Sequence, residues 1–230
     1  MRFGLRKLTL LDFPGKTACT VFNAGCNFAC PFCHNASLVR NDGELPFSFD
    51  EVVSFFKKRT NILDGVCFTG GEPLLFAETL ELMKIAKGLG FLVKLDTNGS
   101  FPERLKAAVT EKLVDYVAMD IKSSIENYGK VSGNQTCVDK VCESVEYLKS
   151  GAVEFEFRTT VTGNLHSVED FTGIGRWIAP AKRYFLQAYE DSGDVLDREN
   201  AGMFAVSDNM LAACLDAVKK YVPSAELRGR

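Results

Sequence analysis

The sequence predicts an α/β fold in the form of a partial, TIM-like (β/α)6 barrel. Six strand-like runs are each followed by a helical pattern, which implies a parallel sheet with right-handed crossovers. Several consecutive strands carry charge on one face. A sheet covered by helices on both faces reads as almost wholly apolar. A curled sheet whose interior holds a polar ligand therefore fits better than a doubly wound one.

The first run is "TACTVF" (17–22). Ser48 and Glu51 then form a capping-box signature at the head of "FDEVVSFFKKR". "VCFTG" (66–70) is the second strand, and the helix "LFAETLELMKIAK" after it stops at Gly88 and Gly90, both suited to a C-cap. "FLVKLD" (91–96) puts Lys94 and Asp96 on one face, and Pro102 opens a helix through Leu113. "YVAMDI" (116–121) ends with Asp120 and Lys122 on a shared face. In the following helix (137–149), Val138, Val141, Cys142, Val145 and Leu148 form an apolar stripe, and Gly151 stops it. "VEFEFRTTV" (153–161) lines up Glu154, Glu156, Arg158 and Thr160. Ser167 caps a helix carrying Val168, Phe171, Ile174 and Ile178. "YFLQAY" (184–189) presents Gln187 and Tyr189, and a last helix from Ser207 buries Met210, Leu211, Cys214, Leu215 and Val218.

At 230 residues the chain suits a single domain spanning 1–230. A net charge of −3 gives no reason to expect nucleic acid. The basic triplet Lys57-Lys58-Arg59 falls at a helix end, where it reads as a solvated face. No apolar run is long enough to cross a membrane, and the start lacks the features of a signal peptide, so a cytoplasmic protein is expected. In that reducing compartment the eight cysteines are not a disulfide framework. Cys19, Cys67, Cys137, Cys142 and Cys214 are scattered and read as small core hydrophobes.

Cys26, Cys30 and Cys33 are different: they cluster in "AGCNFACPFCHN" (24–35), with no fourth cysteine nearby. Soft sulfur ligands select zinc or iron–sulfur clusters. Three cysteines on a four-iron cluster leave one iron with open coordination. The plainer alternative is structural zinc with His34 as fourth ligand, but zinc ligands usually come as two separated doublets, and the neighbours Cys33 and His34 do not easily close on one ion. The motif follows the first strand, at the sheet end where barrel active sites sit. At the end of the second strand, Gly70-Gly71-Glu72-Pro73 allows close backbone approach and offers a carboxylate to an ammonium group; alone, it reads as an ordinary turn. "LDTNG" (Asp96, Thr97, Asn98, Gly99) contains a common turn pair. Asp120 and Lys122 suit an interior salt bridge as well as a ligand, and Arg158 would pair with Glu156 or Asp120 if it binds nothing. His166 reads as a loop histidine.

The C-x3-C-x2-C spacing, with Phe32 before the third cysteine, resembles the signature of the radical S-adenosylmethionine enzymes, whose fold is a (β/α)6 partial barrel. The resemblance implies a 4Fe–4S cluster on Cys26, Cys30 and Cys33. S-adenosylmethionine would take the open iron, accept one electron and yield methionine and a 5′-deoxyadenosyl radical. It further implies a cofactor-binding set of Phe32, His34, Gly70, Gly71, Glu72, Asn98, Asp120, Lys122 and Arg158. Within that set, Gly-Gly-Glu-Pro is similar to the motif that binds the methionine amino group, and the D-x-K of Asp120 and Lys122 is similar to that of glycyl-radical activating enzymes. The Arg158 guanidinium suits the methionine carboxylate. "LTLLDFPGKTACTVFNAGCNFACPFCHN" resembles the opening of single-domain activating proteins for anaerobic ribonucleoside-triphosphate reductase, and Cys-His-Asn is shared with pyruvate formate-lyase activators. The implied partners are a glycyl-radical enzyme, foremost that reductase, and a flavodoxin- or ferredoxin-like electron donor. Residues 36–65 contain no cysteine, so a single cluster is expected. The alternatives are activation of pyruvate formate-lyase or another glycyl-radical enzyme, a small-molecule radical enzyme such as a carboxy-deazaguanine synthase, and a non-catalytic zinc- or cluster-binding module.

Overall fold

The computed structural model describes residues 2–40, 42 and 45–229. In chain order the elements are β1 (Arg2–Thr9), β2 (Ala18–Asn23), α1 (Ala36–Arg40), β3 (Phe47–Ser48), α2 (Phe49–Arg59), β4 (Gly65–Gly70), α3 (Ala77–Gly88), β5 (Leu92–Thr97), α4 (Pro102–Thr110), β6 (Tyr116–Asp120), α5 (Tyr128–Ser132), α6 (Val138–Lys149), β7 (Glu154–Val161), α7 (Val168–Ile178), β8 (Tyr184–Ala188), α8 (Asp208–Lys219) and β9 (Glu226–Leu227). They build one nine-stranded sheet in the order β3-β1-β2-β4-β5-β6-β7-β8-β9, which stays open between its two edges. The strands from β2 to β9 are parallel. β2 and β4 to β8 are the six strands the sequence predicts.

β1 is an addition to that prediction. It lies antiparallel on β2, with Phe3 opposite Asn23 and Thr9 opposite Ala18. Its run of Gly4, Arg6 and Lys7 lacks an alternating apolar face because the strand is near a sheet edge and largely exposed. α4 ends at Thr110, short of Leu113, because Lys112 turns into the left-handed region (φ 56°). The predicted caps are present: Ser48 and Glu51 bond reciprocally at α2, and Ser167 does the same with Asp170 at α7. Each such cap contributes about 1 kcal/mol.

One face of the sheet, with Val66, Phe68, Val93, Leu95, Val117, Met119 and Phe157, is sealed under helix residues such as Leu82, Met83, Val145 and Ile174. Each fully buried side chain of this kind contributes roughly 1.5–3 kcal/mol. The opposite, concave face carries paired charge. Lys94 is paired with Asp96. Arg158 lies directly across from Asp120 in the β6–β7 register and donates to it from Nε at 3.0 Å. It also reaches Asp96 at 3.3 Å; Ala118, opposite Asp96 in register, is small enough to leave that path open. Glu156 is not a partner of Arg158. It accepts two bonds from Arg228 (2.6 and 2.8 Å) and one from the Tyr116 hydroxyl (2.7 Å). Among the described residues no helix is long and apolar enough to cross a membrane.

Candidate functional site

The cysteine loop joins β2 to α1 and is tied down along its whole length. Gly25 N–H donates to Leu38 O at 2.7 Å and Ala29 N–H to Ser132 O at 2.9 Å. Leu196 N–H donates to Cys33 O and Asp197 N–H to Pro31 O, at 3.0 and 2.9 Å. The β8–α8 connection thus straps the cysteine loop in place. Asp194, on this strap, accepts from Ser37 Oγ at 2.7 Å and from its N–H.

Cys26, Cys30 and Cys33 are free and face a single cavity of about 410 Å³. Burial raises their thiols, to about 11 for Cys26 and about 12 for Cys30, against the nearby Lys122 charge. As neutral thiols they make only long contacts: Phe28 N–H to Cys26 Sγ at 3.4 Å, Asn98 Nδ2 to the same sulfur at 3.8 Å, and Cys30 Sγ to Ser132 O at 3.7 Å. Among the described residues no three His, Cys, Asp or Glu side chains are grouped to hold one metal ion. The three cysteines line the cavity together, and His34 stands exposed at its rim. Three soft donors on one cavity fit an iron–sulfur cluster, which takes each cysteine on a different iron.

Every site residue expected from the sequence lines this cavity except Glu72. The glycine turn is explained by the chain itself. Gly71 N–H donates to Asn23 O at 2.8 Å and Glu72 N–H to Gly25 O at 2.9 Å, docking the end of β4 on the start of the cysteine loop. A Cβ on Gly71 would lie 2.0 Å from the Gly25 carbonyl oxygen, and one on Gly70 (φ 112°) would lie 2.4 Å from that of Asn23. Only glycine allows this approach. Glu72 is wholly buried behind the turn. Its Oε1 accepts from Leu74 N–H (3.0 Å) and the Thr97 hydroxyl (2.8 Å), and its Oε2 from Asn98 N–H (2.7 Å). Burial pushes its pKa up to about 7, against those three donors. The carboxylate braces the turn and the β5 loop instead of facing the cavity.

Asn98 stands on that braced loop, with Nδ2 3.1 Å from Asn27 Oδ1 in the cysteine loop. Across the cavity, Lys122 Nζ lies 3.1 Å from Asp120 Oδ2. Burial alone would raise Asp120, but Arg158 and Lys122 outweigh it and hold the carboxyl well below the usual carboxylate range. Burial opposes the Lys122 charge and Asp120 restores it, so the lysine stays cationic. The wall is therefore a fixed row of alternating charge, able to meet a zwitterionic group with a cation for its carboxylate and an anion for its ammonium.

The sequence reading missed part of the wall. Arg6 and Asp12 line it from the unpredicted β1 and the turn after it; Asp96, Thr160 and Gln187, which the sequence set on polar strand faces, line it too. The alternation of charge along β5 and β7 was the available signal for Asp96 and Thr160; nothing in the pattern of β1 marked Arg6. Tyr189 turns away and packs on Phe204 (5.5 Å between rings). His166 is a buried residue, not a free loop side chain.

A Methanocaldococcus jannaschii protein named as a glycyl-radical enzyme activating enzyme is 28% identical over 233 residues, covering 98% of this chain and 94% of that one. The 7-carboxy-7-deazaguanine synthase of Methanopyrus kandleri is 27% identical over 220 residues, covering 77% of this chain and 86% of that one. Among solved structures, Streptococcus suis SuiB bound to S-adenosylmethionine shares the fold with a TM-score of 0.68 at 13% identity, over 90% of this chain and 49% of SuiB. The family model of the radical SAM superfamily matches residues 20–177, which include the cysteine loop, the glycine turn and the charged row of β5 to β7. This chain belongs to the radical SAM superfamily.

Proposed function

We propose that the chain, acting as one domain, is an activating enzyme that removes a hydrogen atom from a glycine Cα of a glycyl-radical enzyme, anaerobic ribonucleoside-triphosphate reductase being the target. The observation that carries this reading is the placement of three cysteines and an alternating charge row on one cavity of an open, partial barrel. A protein loop can enter there, where a closed barrel would be sealed. Similarity over nearly the full length to a relative named for glycyl-radical activation supports the same class of substrate.

Cys26, Cys30 and Cys33 would hold a 4Fe–4S cluster. When bound, the cluster would supply one electron to S-adenosylmethionine, the radical chemistry that hydrogen abstraction needs. The chain's own part is to bind and orient. Lys122 and Arg158 would face the methionine carboxylate, Asp120 and the Gly70–Gly71 carbonyls its ammonium, and Phe32, His34 and Asn98 the remainder; Glu72 serves through the turn it braces. The electron donor would be a flavodoxin- or ferredoxin-like protein.

The test is anaerobic reconstitution, dithionite reduction and addition of S-adenosylmethionine and the reductase. We expect about four irons per chain and a glycyl-radical doublet by electron paramagnetic resonance, lost when the target glycine is replaced by alanine. Cys30→Ala abolishes the iron and the radical together. A radical formed on a pyruvate formate-lyase-like protein, and none on the reductase, would replace the partner and keep the chemistry. Turnover of a small molecule with neither protein would favour the reading suggested by the deazaguanine synthase similarity.

A further inference from the structure

The chain contains two histidines, and His166 is the buried one, 6% exposed. Both ring nitrogens are engaged. Thr162 N–H approaches Nδ1 at 3.1 Å, with the Thr162 hydroxyl at 3.0 Å from the same nitrogen. Nε2 lies 2.8 Å from the carbonyl oxygen of Lys122. An amide N–H can only donate and a carbonyl can only accept. Nδ1 therefore holds the lone pair, and Nε2 carries the proton and donates it to Lys122 O. Burial lowers the imidazole pKa, in keeping with a neutral ring.

The ring also touches the cysteine loop. Phe32, between Cys30 and Cys33, meets it edge-on with centroids 6.4 Å apart, and Phe171 of α7 backs it at 5.6 Å. Other bonds fix the chain just before Lys122: Ile121 N–H donates to Arg158 O at 2.8 Å and Thr159 Oγ1 donates to Ile121 O at 2.7 Å. The His166 bond secures the next peptide, and with it the direction in which the Lys122 side chain leaves the main chain. One imidazole thus spans the end of β6 and the loop that carries the sulfurs.

We propose that His166 is a positioning residue for the cofactor site: it sets the bearing of Lys122 toward the cavity through the Lys122 carbonyl, and fixes that bearing relative to the cysteine loop through Phe32. The proposal rests on the reading of Lys122 as a ligand of the methionine carboxylate. It gives His166 no contact with the cofactor and no proton transfer.

The test is a double-mutant cycle on the iron-loaded, full-length protein, with S-adenosylmethionine affinity read by calorimetric titration and iron content measured alongside. His166→Phe keeps the ring packing and removes the hydrogen bonds at both ring nitrogens; His166→Gln offers a donor and an acceptor again. With wild-type iron content, His166→Phe should weaken binding about tenfold, as the loss of one buried hydrogen bond does, and His166→Gln should recover most of it. In a Lys122→Ala background, His166→Phe should change nothing further. Equal affinity of His166→Phe and wild type, or the same loss with and without Lys122, would overturn the proposal. Wild-type affinity in Lys122→Ala alone would instead remove Lys122 from the site and leave the role of His166 without a basis. Should His166→Phe not fold, ¹⁵N-resolved imidazole spectra of the wild-type protein decide: a neutral Nε2–H tautomer is required, and an Nδ1–H tautomer or an imidazolium at pH 7.5 would sink the idea.

Discussion

Glu72 has its two carboxylate oxygens committed to Leu74, Thr97 and Asn98 in a place with no solvent. Its folded pKa of about 7 lies above the ordinary 4.5. The neutral form is favoured by folding, so this contribution is complete below about pH 4.5 and is lost as pH rises through 7. We expect unfolding free energy to fall by about 3 kcal/mol between pH 5 and pH 8 from this residue. Denaturant titrations of wild type and Glu72→Gln across that range should show the slope in the first and its absence in the second. At pH 8 Glu72→Gln should also lose about 1–3 kcal/mol, because an amide hydrogen of glutamine then faces the Asn98 N–H. The motif marked Glu72 in the sequence. Its burial was not legible, because the atoms that surround it come from the β5 loop, brought there only by the parallel pairing of β4 and β5.

At the scale of elements, local chemistry was read well and edge structure poorly. Ser48, Pro102, Ser167 and Ser207 announced their helices because capping acts over three or four residues. β1 escaped because a strand near the sheet edge, largely exposed, needs no apolar alternation, and with it Arg6 was lost from the predicted wall. The strap over residues 190–200 has no period at all, and its meaning lies in bonds to a loop more than 150 residues away. Asp194→Ala removes the acceptor for Ser37 and should cost about 1 kcal/mol. It should also speed release of iron to a chelator, with Asp194→Asn intermediate. Unchanged release rates would show that the main-chain bonds of Leu196 and Asp197 suffice.

For the whole molecule, the inference of a barrel from charged strands held because the concave face carries ion pairs within and between strands. Which charge pairs with which was beyond reach of the sequence: Glu156 takes Arg228 from 72 residues away, beside the two-residue β9. Arg228→Ala would strand a carboxylate that is 1% exposed. We expect a loss of about 3–5 kcal/mol, read as a lower melting temperature, with partial recovery in Arg228→Lys. The ties of the cysteine loop carry a consequence for biosynthesis. All three cysteines leave the ribosome within the first 33 residues, yet the main chain around them is completed by Ser132 and then by Leu196 and Asp197. Domains generally fold as units once their chain is available. The iron–sulfur assembly machinery should therefore meet an unformed site until translation is nearly finished. Ribosome-bound chains stalled before residue 190 should accept no stable iron, though Cys26, Cys30 and Cys33 have all been translated.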